Sequence, residues 1–349
     1  MCNIAGYAGD RQAAPILIEM LRRQQAFDGG MSCGIATLHE GKLHWCKIVG
    51  DVDTLLRETD ALSLPGTIGI AHTRPSGTPE TYELAHPYIS MDGEMAVVSN
   101  GTTPNDQYTE RRNAAVQMLG DAGFNFRTGT MDPTKNWPRL RNGMAVGSEE
   151  VRVHLVDYYI KRGKSYEEAL ALTAQHLYTN NVFLMLNKNE PDRIFAIRTV
   201  RPMNVLLSKG ETYMATTAFG FPEDVAGEKM ALPLMHACAI TRGGFTVSPH
   251  RVEVEQVCPI TPRIYKAAYE AAETILTGKR DEPVFIDQVW RAIREAAEPL
   301  WAEPHTFTQH PSLLYETLEQ LEEEGQLRRI IKPQAYKEGF QNRYYLWLE

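Results

Sequence analysis

Strand-like apolar segments crowd the first hundred residues, give way to one pair of helices, and return before residue 217. No other feature narrows the fold as much. Residues 1–10 read as a strand of small residues, and Ala14 to Gln25 places Ile16, Leu17, Met20 and Leu21 on one helical face. Ser32 to Thr37 and Lys42 to Val49 alternate like paired strands around His39-Glu40-Gly41. Thr67 to Thr73 and Glu94 to Ser99 are further apolar strands. Glu149 to Arg162 and Tyr166 to Tyr178 have helical spacing and meet at Gly163. Val182 to Asn187, Arg193 to Arg198, Val205 to Ser208 and Thr212 to Thr217 return to strand. That order predicts a layered α+β domain, because each apolar face must be covered by another element. Segment 124–147 mixes Gly, Pro, Asn and Arg without a period and is predicted to be a long excursion.

The pattern changes at Pro259-Ile260-Thr261-Pro262. Arg263 to Thr277, Val284 to Ala297 and Pro311 to Gly325 read as helices, the last capped near His310. Leu327 to Lys332 and Arg343 to Leu348 read as strands around a turn at Lys337-Glu338-Gly339, an order similar to a winged helix. With 349 residues the chain is expected to form two domains, 1–258 and 259–349.

A net charge of −8 works against binding nucleic acid or an anionic membrane, and no stretch is apolar for long enough to span a bilayer. Acidic residues outnumber basic ones over 262–349, with Glu316, Glu319, Glu322, Glu323 and Glu324 on one predicted helix. That face repels phosphates, which favours a docking or dimerising role over DNA binding. Its simplest role is a solvated helix face. Asp10 and Arg11 come too early for a signal peptide, and five scattered cysteines suit a reducing cytoplasm. Cys33, His39, His44 and Cys46 lack zinc-site spacing. No cofactor motif and no phosphate-cradling glycine loop stands out.

Cys2 carries the chemistry. Removal of Met1 would leave a thiol and a free α-amine on one residue, with ordinary pKa values of ~8.5 and ~8. Such a residue is a nucleophile with its own general base, suited to covalent acyl transfer. The plain alternative is a buried cysteine opening a core strand. Three segments join it. Ala71-His72-Thr73-Arg74 ends an apolar strand with a guanidinium able to grip a carboxylate. Ala85-His86-Pro87-Tyr88 reads otherwise as a packed turn. Ser99-Asn100-Gly101 ends a strand where a side-chain amide and a backbone N–H can point at one oxyanion.

Taken in order, these motifs resemble the glutaminase domain of class II glutamine amidotransferases, an N-terminal nucleophile hydrolase family, over about residues 2–225. The likeness includes Glu150 to Leu170, similar to that family's first helix pair, and Met214-Ala215-Thr216-Thr217. It implies a four-layer αββα fold, followed here by a smaller, mostly helical winged-helix-like domain. It also implies that Cys2 attacks the amide carbon of glutamine and its amine shuttles the proton. By the same likeness Asn100 and Gly101 hold the oxyanion, Arg74 binds the substrate carboxylate, and His72 and His86 order the pocket walls. Thr73, His86, Ser148 and Glu149 complete the expected substrate shell. The implied partners are glutamine and a synthase that receives ammonia, with a homo-oligomeric assembly.

The chain departs from the family around the substrate. Ser148 stands where the family has an Asp for the substrate ammonium, and Glu149 is one position away. Pro75-Ser76-Gly77-Thr78-Pro79 replaces an aromatic and Thr-His stretch, and Asp28-Gly29-Gly30-Met31-Ser32 lacks the usual charged pair. Acyl transfer from an amide is therefore better founded than glutamine specificity. A hydrolase of another γ-glutamyl or acyl amide, and a silent metabolite-binding regulator, remain alternatives.

Overall fold

The computed structural model describes residues 2–75, 81–102, 109–177, 180–253, 257–301, 308–336 and 339–349. Ser76 to Pro79, Tyr178, and Lys337 and Glu338 of the expected C-terminal turn lie outside them, as does Met1. The strands are β1 (Asn3–Ala8), β2 (Ser32–His39), β3 (Lys42–Ile48), β4 (Ile68–Arg74), β5 (Tyr88–Ile89), β6 (Met95–Thr102), β7 (Asn180–Asn187) and β8 (Ile194–Arg198). They continue as β9 (Asn204–Ser208), β10 (Glu211–Ala215), β11 (Glu228–Ala231), β12 (His236–Thr241), β13 (Gly244–Arg251), β14 (Val284–Phe285), β15 (Leu327–Tyr336) and β16 (Gly339–Leu348). The α-helices are α1 (Ala13–Asp28), α2 (Val52–Glu58), α3 (Thr109–Asp121), α4 (Ser148–Ile160), α5 (Tyr166–His176), α6 (Pro262–Leu276), α7 (Ile286–Ala297) and α8 (His310–Glu323).

A seven-stranded sheet runs in the order β11-β9-β10-β1-β4-β2-β3, and a six-stranded one in the order β13-β12-β8-β7-β6-β5. Alternate residues of each sheet meet in one apolar core: Ile4, Ala36 and Ile70 from the first, Val98, Leu184 and Ala196 from the second. The sheets approach closely at β1, where a Cβ on Gly6 would lie 3.2 Å from Leu184 Cδ1. The other face of the seven-stranded sheet is covered by α1, whose Leu17, Met20 and Leu21 pack on Ala5, Ile35 and Tyr213. The other face of the six-stranded sheet is covered by α4 and α5, with Val153, Val156 and Leu170 packed on Val97, Phe183 and Phe195. The period-2 alternation of the strands is what lets each sheet bury both faces.

Several elements escaped the sequence reading. Helix α3 has a weak apolar stripe, β11 is short and mostly exposed, β13 is partly exposed, and β12 is buried between β8 and β13. The 124–147 excursion is a packed appendage rather than loose chain. Buried Glu150 of α4 accepts the Arg127 and Thr128 amides (2.8 and 2.9 Å) and the Thr128 hydroxyl (2.6 Å). Burial opposes ionisation of Glu150, but hydrogen bonds from His154, Thr128 and those amides outweigh it and lower its pKa.

Beyond residue 257, α6, α7 and α8 pack with a three-stranded sheet ordered β14-β16-β15. Val284 and Phe285, expected to open a helix, pair instead with Leu346 and Tyr345 of β16, and α7 starts at Ile286. This C-terminal core is continuous with the first part of the chain. Phe27 of α1 sits 5.1, 5.5 and 4.6 Å from the rings of Phe219, Tyr315 and Tyr344. Burying one such phenylalanine contributes roughly 1.5–3 kcal/mol. No helix among the described residues is long and apolar enough to cross a membrane.

Candidate active site

Cys2 leads into β1, held between β10 and β4 in the middle of its sheet. The start of that strand is locked on both sides. Asn3 Nδ2 donates to the carbonyls of Gln24 (3.1 Å) and Asp28 (2.7 Å), satisfying the end of α1. Thr216 Oγ1 accepts the Ile4 amide at 2.8 Å, and Gln24 bridges Ile4 and Thr216 through its own side chain. The sequence therefore places its second residue at the end of a rigid central strand.

Asn100 and Gly101 approach from the other sheet. Along β6, Ala96 and Val98 face the inter-sheet core, so Asn100 projects to the same face. Its Nδ2 donates to the Cys2 carbonyl oxygen at 2.7 Å. Gly101 faces Asn181 of β7 in register. Asn181 spends both backbone groups on Thr199, at 2.7 Å to Oγ1 and 2.8 Å from its amide. Gly101 is thus a non-bonded pair of the ladder, and its N–H points away from β7. On that side β5 reaches only Ala96 and Val97. A Cβ at Gly101 would stand 2.6 Å from the Asn180 carbonyl, so no side chain fits.

Arg74 ends β4, two strand positions from His72, and its guanidinium donates to the Leu84 carbonyl at 3.1 Å. Burial pushes the Cys2 thiol pKa up, while the Arg74 charge pulls against it. Thr73 is buried within the sheet, its hydroxyl accepting the Gly30 amide at 2.9 Å. That bond fixes the Asp28–Ser32 stretch and makes Thr73 a scaffold residue. His72 and His86 are buried with ring centroids 3.9 Å apart. Burial, then the Arg74 charge, lowers His72 to about 3, and burial lowers His86 well below its usual value. Both are neutral at physiological pH.

Ser148 and Glu149 open α4, and they have different surroundings. Glu149 Oε2 accepts the Ser99 hydroxyl and pairs with Arg152, which is 1% exposed. It is also among the charges acting on the Cys2 thiol. Ser99 lies in turn 3.4 Å from His86 Nε2. Glu149, rather than Ser148, is thus the carboxylate wired into the site.

Sequence reasoning missed four participants. Lys47 donates to the Ala85 carbonyl at 2.8 Å, and burial pushes its pKa down to about 8. Arg152 looked like an ordinary helix residue. Arg201 and Tyr315 lie far along the chain, yet the Arg201 charge acts on both the Cys2 thiol and the Tyr315 hydroxyl. Only the alternation of β3 hinted at a buried Lys47; nothing local marked the others. Among the described residues no cluster of three or more His, Cys, Asp and Glu side chains is arranged to hold a metal ion.

No family model matches the chain. The glutamine–fructose-6-phosphate aminotransferase (isomerizing) of Pyrococcus horikoshii is 32% identical over 218 residues, 62% of this chain and 32% of that protein. Its counterpart in Methanothermobacter thermautotrophicus is 34% identical over 219 residues, 62% of this chain and 33% of that protein. This chain is a homologue of the class II glutamine amidotransferases. It spans about a third of the length of the aminotransferases it matches. The fold extends the likeness of this class II homologue to glutamine phosphoribosylpyrophosphate amidotransferase from B. subtilis, solved with ADP and GMP. The TM-score is 0.59 at 15% identity, covering 85% of this chain and 64% of that one.

Proposed function

We propose that this chain hydrolyses the side-chain amide of glutamine with Cys2 as nucleophile, once Met1 has been removed, and delivers the ammonia to a partner synthase. The observation that carries this reading is the 2.7 Å bond between Asn100 and the Cys2 carbonyl, which holds an amide donor beside the nucleophile. In the proposed reaction the α-amine takes the Sγ proton as sulfur attacks the amide carbon. Asn100 Nδ2 and the Gly101 N–H receive the oxyanion. An amide has two N–H bonds, and the contact with Cys2 occupies one. Collapse of the tetrahedral intermediate expels ammonia, which leaves with the shuttled proton. Water then hydrolyses the glutamyl thioester to glutamate and regenerates the thiol.

Arg74 takes the substrate carboxylate and Glu149 its ammonium, replacing the charge that Ser148 lacks. His86 and Thr73 shape the walls. We read the packed sheets and flanking helices as the four-layer αββα arrangement, residues 1–258 as the amidotransferase-like domain and 259–349 as a winged-helix-like docking domain. A cytoplasmic, homo-oligomeric enzyme that neither binds nucleic acid nor requires a cofactor fits this reading. The test is ammonia release from glutamine by the chain with Met1 removed: Cys2→Ala is expected to abolish it, and full activity in that variant ends the proposal.

One observation favours hydrolysis of another γ-glutamyl or acyl amide. Glu149 already pairs with Arg152 and Ser99, so its capacity for a substrate ammonium is divided. Comparing glutamine with γ-glutamyl amides and simple acyl amides in the same assay separates the two readings. If Met1 is retained and no amide is hydrolysed, the chain is a metabolite-binding regulator instead.

A further inference from the structure

Between α7, the end of α1 and Arg201 lies a cavity of about 560 Å³, a volume suited to one small organic molecule. Tyr315 of α8 lines it and is 2% exposed. No described residue hydrogen-bonds to its hydroxyl. The hydroxyl belongs to a residue that lines the cavity, where a ligand can meet it. Its ring is fixed edge-on against Phe27, 5.5 Å away at 88°, which leaves the hydroxyl little freedom to turn elsewhere.

Arg201 lines the same cavity, and its charge acts on both Cys2 and Tyr315. The outer wall offers the half-buried Trp290. Helix α7 brings both signs of charge, Arg291 and Arg294 against Asp287 and Glu295, so it sets no preference. The carboxylate of Asp28 lies 3.5 Å from Arg343, which already opposes it. What distinguishes the inner end is a guanidinium and a tyrosine that line it together, with aromatic faces around them.

We propose that this cavity binds a small organic anion with a flat apolar body. Binding of the anion does not depend on the glutaminase reading. The full chain holds the anion at Arg201 and Tyr315, and Phe27 and Trp290 take the flat portion.

Titration calorimetry with the full chain tests this, using benzoate and phenyl phosphate as probes. Benzyl alcohol controls for the missing charge and inorganic phosphate for the missing body. Both aryl anions are expected to bind more tightly than either control. Tyr315→Phe and Trp290→Ala should each weaken them roughly tenfold, the worth of one charge-assisted hydrogen bond or one lost aromatic face. Trp290→Ala should hydrolyse glutamine at the wild-type rate. Aryl anions that bind no better than the controls, or binding untouched by Trp290→Ala, overturn the site.

Discussion

Asn100 and Cys2 belong to different sheets, and a 2.7 Å hydrogen bond from the Asn100 amide to the Cys2 carbonyl joins them. The bond sets the separation between Cys2 and a side-chain amide donor beside it. In the proposed mechanism, removing that donor removes stabilisation of the oxyanion, which forms only as the reaction proceeds. Asn100→Ala is therefore expected to lower kcat by ~10²–10³-fold with little change in KM. Steady-state ammonia release measures it, and an unchanged kcat takes Asn100 out of the mechanism.

Arg74 lies near Cys2 and is fixed by the Leu84 carbonyl. A carboxylate grip serves the bound substrate and the transition state alike. Arg74→Ala should raise KM more than it lowers kcat, by about tenfold or more for a lost charge-assisted pair. The opposite split would mean that Arg74 acts on the reacting atoms.

Glu149, partly exposed, pairs with the buried Arg152 in the first turns of α4. Deleting the carboxylate takes the counter-charge from a guanidinium that is 1% exposed. Glu149→Ala is expected to lower unfolding stability by on the order of 3 kcal/mol, seen as a lower urea midpoint. Full retention of the midpoint would show that Arg152 draws its balance from other partners.

His72 carries a pH signature. Its folded pKa is lowered to about 3 from an unperturbed 6.5, so between those values the unfolded chain binds the extra proton. Stability contributed by neutral His72 is complete above 6.5 and is lost as the pH falls through the window toward 3. Urea unfolding at pH 6.5 and pH 5 should show a smaller drop for His72→Asn than for the unchanged chain. Equal drops would place the acid sensitivity elsewhere, His86 being the first suspect.

The strand and helix order of the first two hundred residues was readable because period-2 and period-3.6 patterns are local. Ser32–His39 and Lys42–Ile48 pair with Cys33 opposite Ile48, as their alternation required. Helix α3 and strands β11 to β13 were not readable, since their burial comes from neighbours rather than from their own pattern. The 124–147 excursion looked structureless for the same reason: Glu150, which organises it, lies outside it in sequence.

Within the site, the candidates Cys2, Arg74, His86 and Asn100 were legible as residue types, each at a strand end or turn. Their convergence was expected only from the resemblance, because no local pattern encodes it. The preference for Glu149 over Ser148 rests on its contacts with Arg152 and Ser99, which no motif encodes.

By itself the sequence determined which residues are able to do chemistry and which segments form strands, because side-chain identity and local periodicity are properties of short stretches. Only the tertiary structure decided that Tyr315 and Arg201 line one cavity, and that Phe27 of α1 packs against Tyr344 of the C-terminal hairpin. Those contacts join residues hundreds of positions apart. They arise when apolar faces are buried together, and no local pattern encodes which distant face will be met.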